Sequence, residues 1–425
     1  MTVSDFIREI NKTHAITNND QKFQALTKLL TISPLENKFI SSIYNTTNHK
    51  VKNVTTQYDE EWPAFSLVVN SFVKFCAEMD PWSALCSFDL LTTYLNDLSV
   101  AFNNNTYGWL LSNVIKSTIT MVIPISIKLD YQMFYKEQGG KYRLNYMASV
   151  ILKIFNNIRI NDSNVYKKSI ILYLGNKLCF IYWKLDNPLL CINIFSNMNN
   201  TSLKMKEFPL SEQIKYKYYL GKFYFIKYEF IKSFENFEWC LLHTSSLKNQ
   251  KLILENLIPI SLIVGKRPDF TYLRSKYGNE LSMLEFLNLF AQVSNAVKVG
   301  DYNTFKKLIN ENYKYLKNKG ILLIMNKIDI LILRNLSYKV WSIQGKQQNL
   351  NINLVPIPIP NSIPPNDHYF YKENVFVTLI DTGLIKGKLI GSNSIALSKV
   401  NPFPDVFDHY YKKFYNGSRS NNGWM

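Results

Sequence analysis

Residues 215–241 read KYKYYLGKFYFIKYEFIKSFENFEWCL, and the spacing of their apolar side chains decides the fold class. Tyr216, Leu220 and Tyr224 fall on one helical face, with Phe223 beside them. A break is expected near Tyr228 and Glu229. Phe230, Phe234, Phe237 and Leu241 then recur at helical spacing, so the stretch predicts two amphipathic helices joined by a short turn.

The order Leu220-Gly221-x-x-Tyr224 followed by Ser233-x-x-x-Phe237 matches much of the tetratricopeptide pattern. A small residue sits where two helices must approach closely, and aromatic rings fill the space between turns. Lys217 stands where that pattern usually has Trp, and no Pro closes the unit. One such hairpin cannot bury its own apolar face, so neighbours must stack on it.

Working outward toward the N-terminus, the same period continues. One or two short helices are expected in the first 60 residues, near 4–10 and 21–30, and the polar stretch 45–57 reads as a loop. From Trp62 the period is strong through Phe65, Val68, Val69, Phe72, Val73 and Cys76. Asp80-Pro81-Trp82-Ser83-Ala84 reads as a helix start, with Asp80 as cap, Pro81 at the first position and Trp82 buried. Further helices are expected at about 108–130, 141–159 and 165–183, and Pro188 starts another. Toward the C-terminus, helices are expected at 251–264 and 282–299. Gly300-Asp301 then turns the chain into 302–317. A succession of helices without a strand signal implies an all-α, TPR-like helical solenoid.

Near residue 320 the character changes. Ile321, Ile324, Met325, Ile328, Leu331, Ile332 and Leu336 form the stripe of one long helix. Residues 344–367 contain Pro356, Pro358, Pro360, Pro364 and Pro365 and cannot be helical throughout. A short helix at 373–382 closes on Gly383. Two strands, 384–390 and 394–399, flank Gly391-Ser392-Asn393, a hairpin signal. This outline is a winged helix. The expected domains are a helical region at 1–200, a TPR-like part at 201–320, a winged helix at 321–404 and a basic tail at 405–425, disordered beyond Tyr415.

The chain has 425 residues, a hydrophobic content of 47% and a formal net charge of +17. Such content supports sizeable cores rather than disorder. The excess consists of 42 Lys against 7 Arg. It fits the codon bias of an AT-rich genome, and it equally fits a basic surface for nucleic acid or an acidic partner. Cys76, Cys86, Cys179, Cys191 and Cys240 include no CxxC pair, which suggests reduced thiols in a cytosolic or nuclear protein. The N-terminus lacks a signal-peptide core. The best apolar run, 321–333, is interrupted by Lys327 and Asp329, so no membrane span and no membrane insertion are expected.

No HExxH, GxGxxG or P-loop is present, and His14, His49, His243, His368 and His409 have no metal spacing. His243 reads as a helix C-terminal cap. The chain is therefore read as non-enzymatic, without cofactor or metal. Two binding surfaces remain. Lys386, Lys388, Lys399, Lys412, Lys413 and Arg419 outnumber Asp405 and Asp408 beyond residue 385, and Arg334, Lys339 and Lys346 precede them. Lysines with few Arg forks suit phosphate contact more than base reading. The run 410–415, YYKKFY, suits stacking on unpaired bases. The second surface contains Lys215, Tyr216, Lys217, Tyr219, Lys222, Phe223 and Lys227, and suits an acidic, disordered partner with apolar anchors.

Several motifs carry a resemblance. They are Tyr218-Tyr219-Leu220-Gly221-Lys222-Phe223-Tyr224, Leu257-Ile258-Pro259, Val299-Gly300-Asp301, Arg334-Asn335-Leu336 and residues 375–387, VFVTLIDTGLIKG. From about 62 to 399 the chain resembles the PCI-domain family. Its members include the metazoan PCI-domain protein two, a yeast signalosome-associated subunit and the PCI subunit of the yeast TREX-2 mRNA-export complex. Asp80-Pro81-Trp82-Ser83-Ala84, residues 173–181 with Asn187-Pro188-Leu189-Leu190-Cys191, and residues 374–383 favour the TREX-2 subunit. The resemblance implies a scaffold at the nuclear pore that binds RNA and DNA without sequence preference. It also implies two partners, a larger PCI-like scaffold subunit and a small acidic protein shared with the proteasome lid. The alternative it implies is a structural subunit of a signalosome-like or proteasome-lid-like assembly. The chain departs from the family at 354–365, where a Pro-rich segment replaces the second helix of the winged helix.

Overall fold

The computed structural model describes residues 2–33, 35–46, 54–161, 164–201, 203–391 and 393–415. They form two compact units, one extending to Tyr216 and the other beginning at Lys217.

The first unit contains α1 (Val3–His14), α2 (Asn19–Leu30), α3 (Lys38–Thr46), α4 (Pro63–Glu78), α5 (Ala84–Phe102), α6 (Ser112–Gln132), α7 (Tyr142–Asn161), α8 (Val165–Lys168), α9 (Ile171–Lys184) and α10 (Cys191–Asn199). The division between units falls within α11 (Leu210–Ile226). Helices pack on their sequence neighbours: α3 on α4, α4 on α5, α5 on α6, α6 on α7, α7 on α9. Contact made mainly between neighbours, with smaller contacts of α5 on α7 and α2 on α6, is the pattern of a stacked helical array. Trp62 anchors its start. Its indole N–H donates to the Ala101 carbonyl at 2.9 Å, and its ring stacks on Phe65 at 4.5 Å.

The N-terminal region differs from its sequence reading in two places. It holds a third helix, α3, and residues 47–53 of the expected loop lie outside the described residues. Asp80 does not cap α5. The Ser83 hydroxyl does, accepting the Cys86 N–H at 3.4 Å. Asp80 closes the preceding turn instead, accepting the Trp82 N–H at 2.8 Å, and its carbonyl accepts the Ser87 hydroxyl at 2.8 Å. Trp82, expected inside, is 96% exposed.

By length and composition, Gly108–Gln132 is long and apolar enough to cross a membrane, which the sequence reading overlooked. Its Val114, Ile115, Ile119 and Val122 are buried, and α6 packs between α5 and α7. Its buried Asp130 is held by Arg143 at 3.2 Å and by the Leu144 N–H at 2.9 Å. These are the contacts of a core helix.

The second unit continues with α12 (Phe230–His243), α13 (Leu247–Ile263), α14 (Phe270–Tyr277), α15 (Leu281–Val299), α16 (Tyr302–Glu311), α17 (Tyr313–Asn318), α18 (Leu322–Met325) and α19 (Asp329–Ile343). The turn before α12 is made by Tyr228 at φ +59°. His243 ends α12, its ring nitrogen 2.8 Å from the Trp239 carbonyl. The expected close approach is present. The Ser233 hydroxyl donates to the Gly221 carbonyl at 2.8 Å, and a Cβ on Gly221 would lie 3.2 Å from the buried Phe237 ring. Gly221→Val is therefore expected to destabilise by about 1–3 kcal/mol through overpacking, measured by urea unfolding. Gly221→Ala should cost less, because its helix propensity gains roughly 1 kcal/mol over Gly. Equal stability of Gly221→Val and the parent would remove the close-approach argument. Two expected long helices are interrupted: Asn312 separates α16 from α17, and a tight turn at Asn326–Ile328 separates α18 from α19.

The winged helix comprises α19, β1 (Asn349–Asn351), α20 (His368–Asp381), β2 (Gly387–Ile390) and β3 (Ser394–Leu397). Its sheet is antiparallel with strand order β1-β3-β2. The hairpin was expected and β1 was not; Ser392 in the turn lies outside the described residues. Leu350, Ile395 and Leu389 face one another across the sheet toward a core that also holds Phe376, Leu379 and Leu384. The Pro-rich segment belongs to this core. Val355, before Pro356, and Ile357, between Pro356 and Pro358, are buried, and the prolines' missing N–H groups rule out a helical ladder.

Candidate nucleic-acid and partner interfaces

The pleat of the sheet fixes where the wing lysines point. Lys388 pairs with Ala396, which pairs with Asn349, on the face opposite Leu389, Ile395 and Leu350. Lys386 lies two residues earlier. Its N–H donates to the Pro402 carbonyl and its own carbonyl accepts the Ser398 N–H, both at 2.8 Å. Lys399 follows Ser398, just past the end of β3. All three lysines are exposed. Backbone bonds thus hold the wing firmly while the ammonium groups stay in water.

The remaining basic candidates are dispersed. Lys339 is exposed on α19, and Lys346 is exposed after it at φ +57°. Lys412 and Lys413 are exposed, and the Lys413 ammonium lies 3.3 Å from the Asp381 and Thr382 carbonyls at the end of α20. Arg334 turns inward. Its guanidinium donates to the Phe403 and Pro404 carbonyls at 3.2 and 2.7 Å, so it fastens the chain after β3. Burial pushes its pKa down.

The stretch expected as a tail is ordered to Tyr415. It forms α21 (Val406–Tyr410) and a wide turn, Tyr411–Tyr415, that packs on α12. Residues 416–425, including Arg419, lie outside the described residues. Burial pushes the Tyr410 hydroxyl up to about 12. Tyr410 packs against the winged-helix core, so the aromatic run is not a free stacking platform. Phe414 is exposed.

The α11 candidates separate into core and surface. Tyr216 and Phe223 are buried and cannot serve as exposed anchors. Tyr216 meets Phe195 edge-on at 5.3 Å. The Lys217 ammonium lies 5.1 Å over the Trp239 ring, and burial pushes its pKa down. Lys222 lies 5.9 Å from the Tyr218 ring, and Tyr219 meets that ring edge-on. Lys227 is exposed, 5.3 Å from the Phe223 ring, and Lys215 is exposed beside Glu212 at 2.7 Å. Lysine stems thus cover aromatic rings, as amphipathic side chains do at a core boundary.

Trp82 was missed as a surface residue. Pro81, Trp82, Ala84, Leu85 and Cys86 are all exposed around the turn before α5. The run PWSALC carries the signal: it has no polar residue but Ser83, which is used as the cap.

No protein-family model matches the chain. It is 27% identical over 359 residues to nuclear mRNA export protein THP1 of Saccharomyces cerevisiae, covering 76% of this chain and 78% of that protein. It is 24% identical over 418 residues to a PCI domain-containing protein 2 homolog of Dictyostelium discoideum, covering 94% and 86%. It is 26% identical over 238 residues to a protein CSN12 homolog of Schizosaccharomyces pombe, covering 55% and 54%. Over most of its length, and in its stacked helices ending in a winged helix, this chain is similar to the PCI-domain proteins.

Proposed function

We propose that the chain is a non-enzymatic scaffold and nucleic-acid-binding subunit of a TREX-2-like complex that couples transcription to mRNA export at the nuclear pore. The observation that carries the nucleic-acid part is the wing, on which Lys388 lies on the sheet face turned away from the core and Lys386, just before β2, is exposed as well. The similarity to a nuclear mRNA export protein supports the setting. In this reading the winged helix pairs with that of a larger PCI-like subunit. The small acidic partner meets exposed lysines such as Lys215 and Lys227, since Tyr216 and Phe223 serve the core. Trp82 is a further docking point, because an exposed Trp is the type of residue that dominates interfaces once it is covered.

The similarity to the CSN12 homolog favours a second reading, a structural subunit of a signalosome-like or proteasome-lid-like assembly without a nucleic-acid role. Affinity purification of the tagged full chain from its own cells separates the two. Nuclear-pore and export components should copurify, together with a small acidic protein. Recovery of signalosome subunits without export components would reject the first reading in favour of the second.

A further inference from the structure

We propose that the corner where α6 turns into α7, in the first unit, binds single-stranded nucleic acid by stacking unpaired bases on its tyrosine rings. A cavity of about 570 Å³ opens at this corner. It falls within the roughly 300–1,000 Å³ of small-molecule sites, wide enough for a nucleotide. Ile127 and Leu144 line it together with Tyr131, Phe134 and Tyr135. The rings are open to water. Tyr131 is 82% exposed and Tyr135 93%, and Phe134 and the nearby Tyr142 are exposed as well. Single exposed apolar residues need no explanation, but a group of them marks an interaction surface. The turn that carries the rings is fixed. Arg143 donates to Asp130 at 3.2 Å and to both Glu137 oxygens at 2.9 Å, and Asp130 also accepts the Leu144 N–H at 2.9 Å. Gly139, at φ +80°, donates its N–H to the Phe134 carbonyl at 2.7 Å, and the Phe134 and Tyr135 rings meet edge-on at 5.4 Å. A turn already in place costs less to order when a ligand arrives.

Charge chooses the occupant. Residues 127–144 and 180–190 carry Lys128, Lys136, Lys141, Arg143 and Lys184 against Asp130, Glu137 and Asp186. These three acids are already paired, Asp130 and Glu137 with Arg143, and Asp186 with Lys141 at 2.6 Å. Lys128, Lys136 and Lys184 are exposed, and Lys184 lines the cavity. Lys128 lies one turn before Tyr131 and Gln132 on α6, so it borders the same face. Cations alone would not specify a ligand. Here they stand beside accessible flat rings, and a single strand uses both, ammonium groups for its phosphates and ring faces for its bases. An acidic peptide fits less well. Its backbone N–H and C=O groups need partners on entry, and Gln132 is the one amide side chain in the lining. A stacked base keeps its edges in water, which leaves the site indifferent to sequence. This inference shares the ligand class of the proposed function but rests on residues apart from the wing.

The test uses the full chain and a fluorescein-labelled oligouridylate, read by anisotropy at several salt concentrations. Tyr131→Ala with Tyr135→Ala should weaken binding at least tenfold without changing the salt slope, because a ring contributes stacking and no charge. Tyr131→Phe with Tyr135→Phe should restore the parent affinity, since stacking needs the ring and not the hydroxyl. Both tyrosines are exposed, so the melting temperature should not move. Lys128→Ala with Lys184→Ala should lower the slope by about 1.4, at roughly 0.7 per lost phosphate contact. Affinity for a duplex RNA should be the same in the alanine pair as in the parent, because paired bases offer no free face. If the alanine pair binds oligouridylate as the parent does while the wing variant binds it less, this site is overturned and the proposed function stands. If the parent does not bind oligouridylate, both fall. A protein that copurifies only when the two tyrosines are present, with RNA affinity unchanged, would give the corner to a protein partner and overturn the site.

Discussion

Replacing Lys386, Lys388 and Lys399 together with Ala is expected to lower affinity for single-stranded RNA about 100-fold at 0.1 M salt. The slope of log affinity against log salt should fall by about 2, at roughly 0.7 per lost phosphate contact on a single strand and 0.9 on duplex DNA. The loss should be the same for every sequence, because flexible ammonium groups contact phosphates and not base edges. The three positions are exposed, and the outward sheet face contributes little to the core, so the melting temperature should not move. Fluorescence anisotropy at several salt concentrations gives both quantities. Unchanged affinity and slope would hand this face to a protein partner and strengthen the purely structural reading.

Gly300→Ala should destabilise the chain by about 3 kcal/mol or more, the range reached when backbone strain and steric conflict coincide. Gly300 ends α15 at φ +78°, and Asp301 donates its N–H back to the Ala296 carbonyl at 2.9 Å. Left-handed backbone alone costs an alanine roughly 1–2 kcal/mol. The steric clash costs more. A Cβ would lie 2.6 Å from the Leu336 nitrogen and 2.7 Å from its Cα, and this is helix backbone that cannot rotate away. Gly320 provides the comparison, with φ +72° and nothing within 4 Å of its Cβ position. Gly320→Ala should therefore show the conformational cost alone. Equal urea midpoints for the two variants would mean that α19 does not press on Gly300.

Local signals made much of this fold legible. Gly221 facing Phe237, Gly300 with Asp301, and Gly383 at φ +77° are each set by a few neighbouring residues. Features that depend on distant partners were not legible. β1 is three residues of Asn-Leu-Asn, poor strand formers, and exists because β3, more than forty residues later, pairs with it. Arg334 reads as one more surface cation until the Phe403 and Pro404 carbonyls come to meet it. The aromatic run at 410–415 reads as a stacking surface until Tyr410 packs under the winged helix. Of the candidate residues, the outward placement of Lys388 follows from strand alternation alone. The α11 candidates mixed core rings with surface charges because both occur on one short helix.

The exposed turn before α5 also equips the chain with an optical reporter. Trp62 and Trp109 are buried, and Trp82 is the fully exposed indole among the described residues. Water around an excited indole relaxes and shifts its emission to long wavelengths, whereas a ring already inside a core emits further to the blue. Red-edge excitation of the native chain favours the tryptophans over the tyrosines, and among the described tryptophans Trp82 is the one most open to water, Trp183, Trp239 and Trp341 being half-buried. Any macromolecule that covers the turn will move its emission blueward and shield it from soluble quenchers, without a label attached.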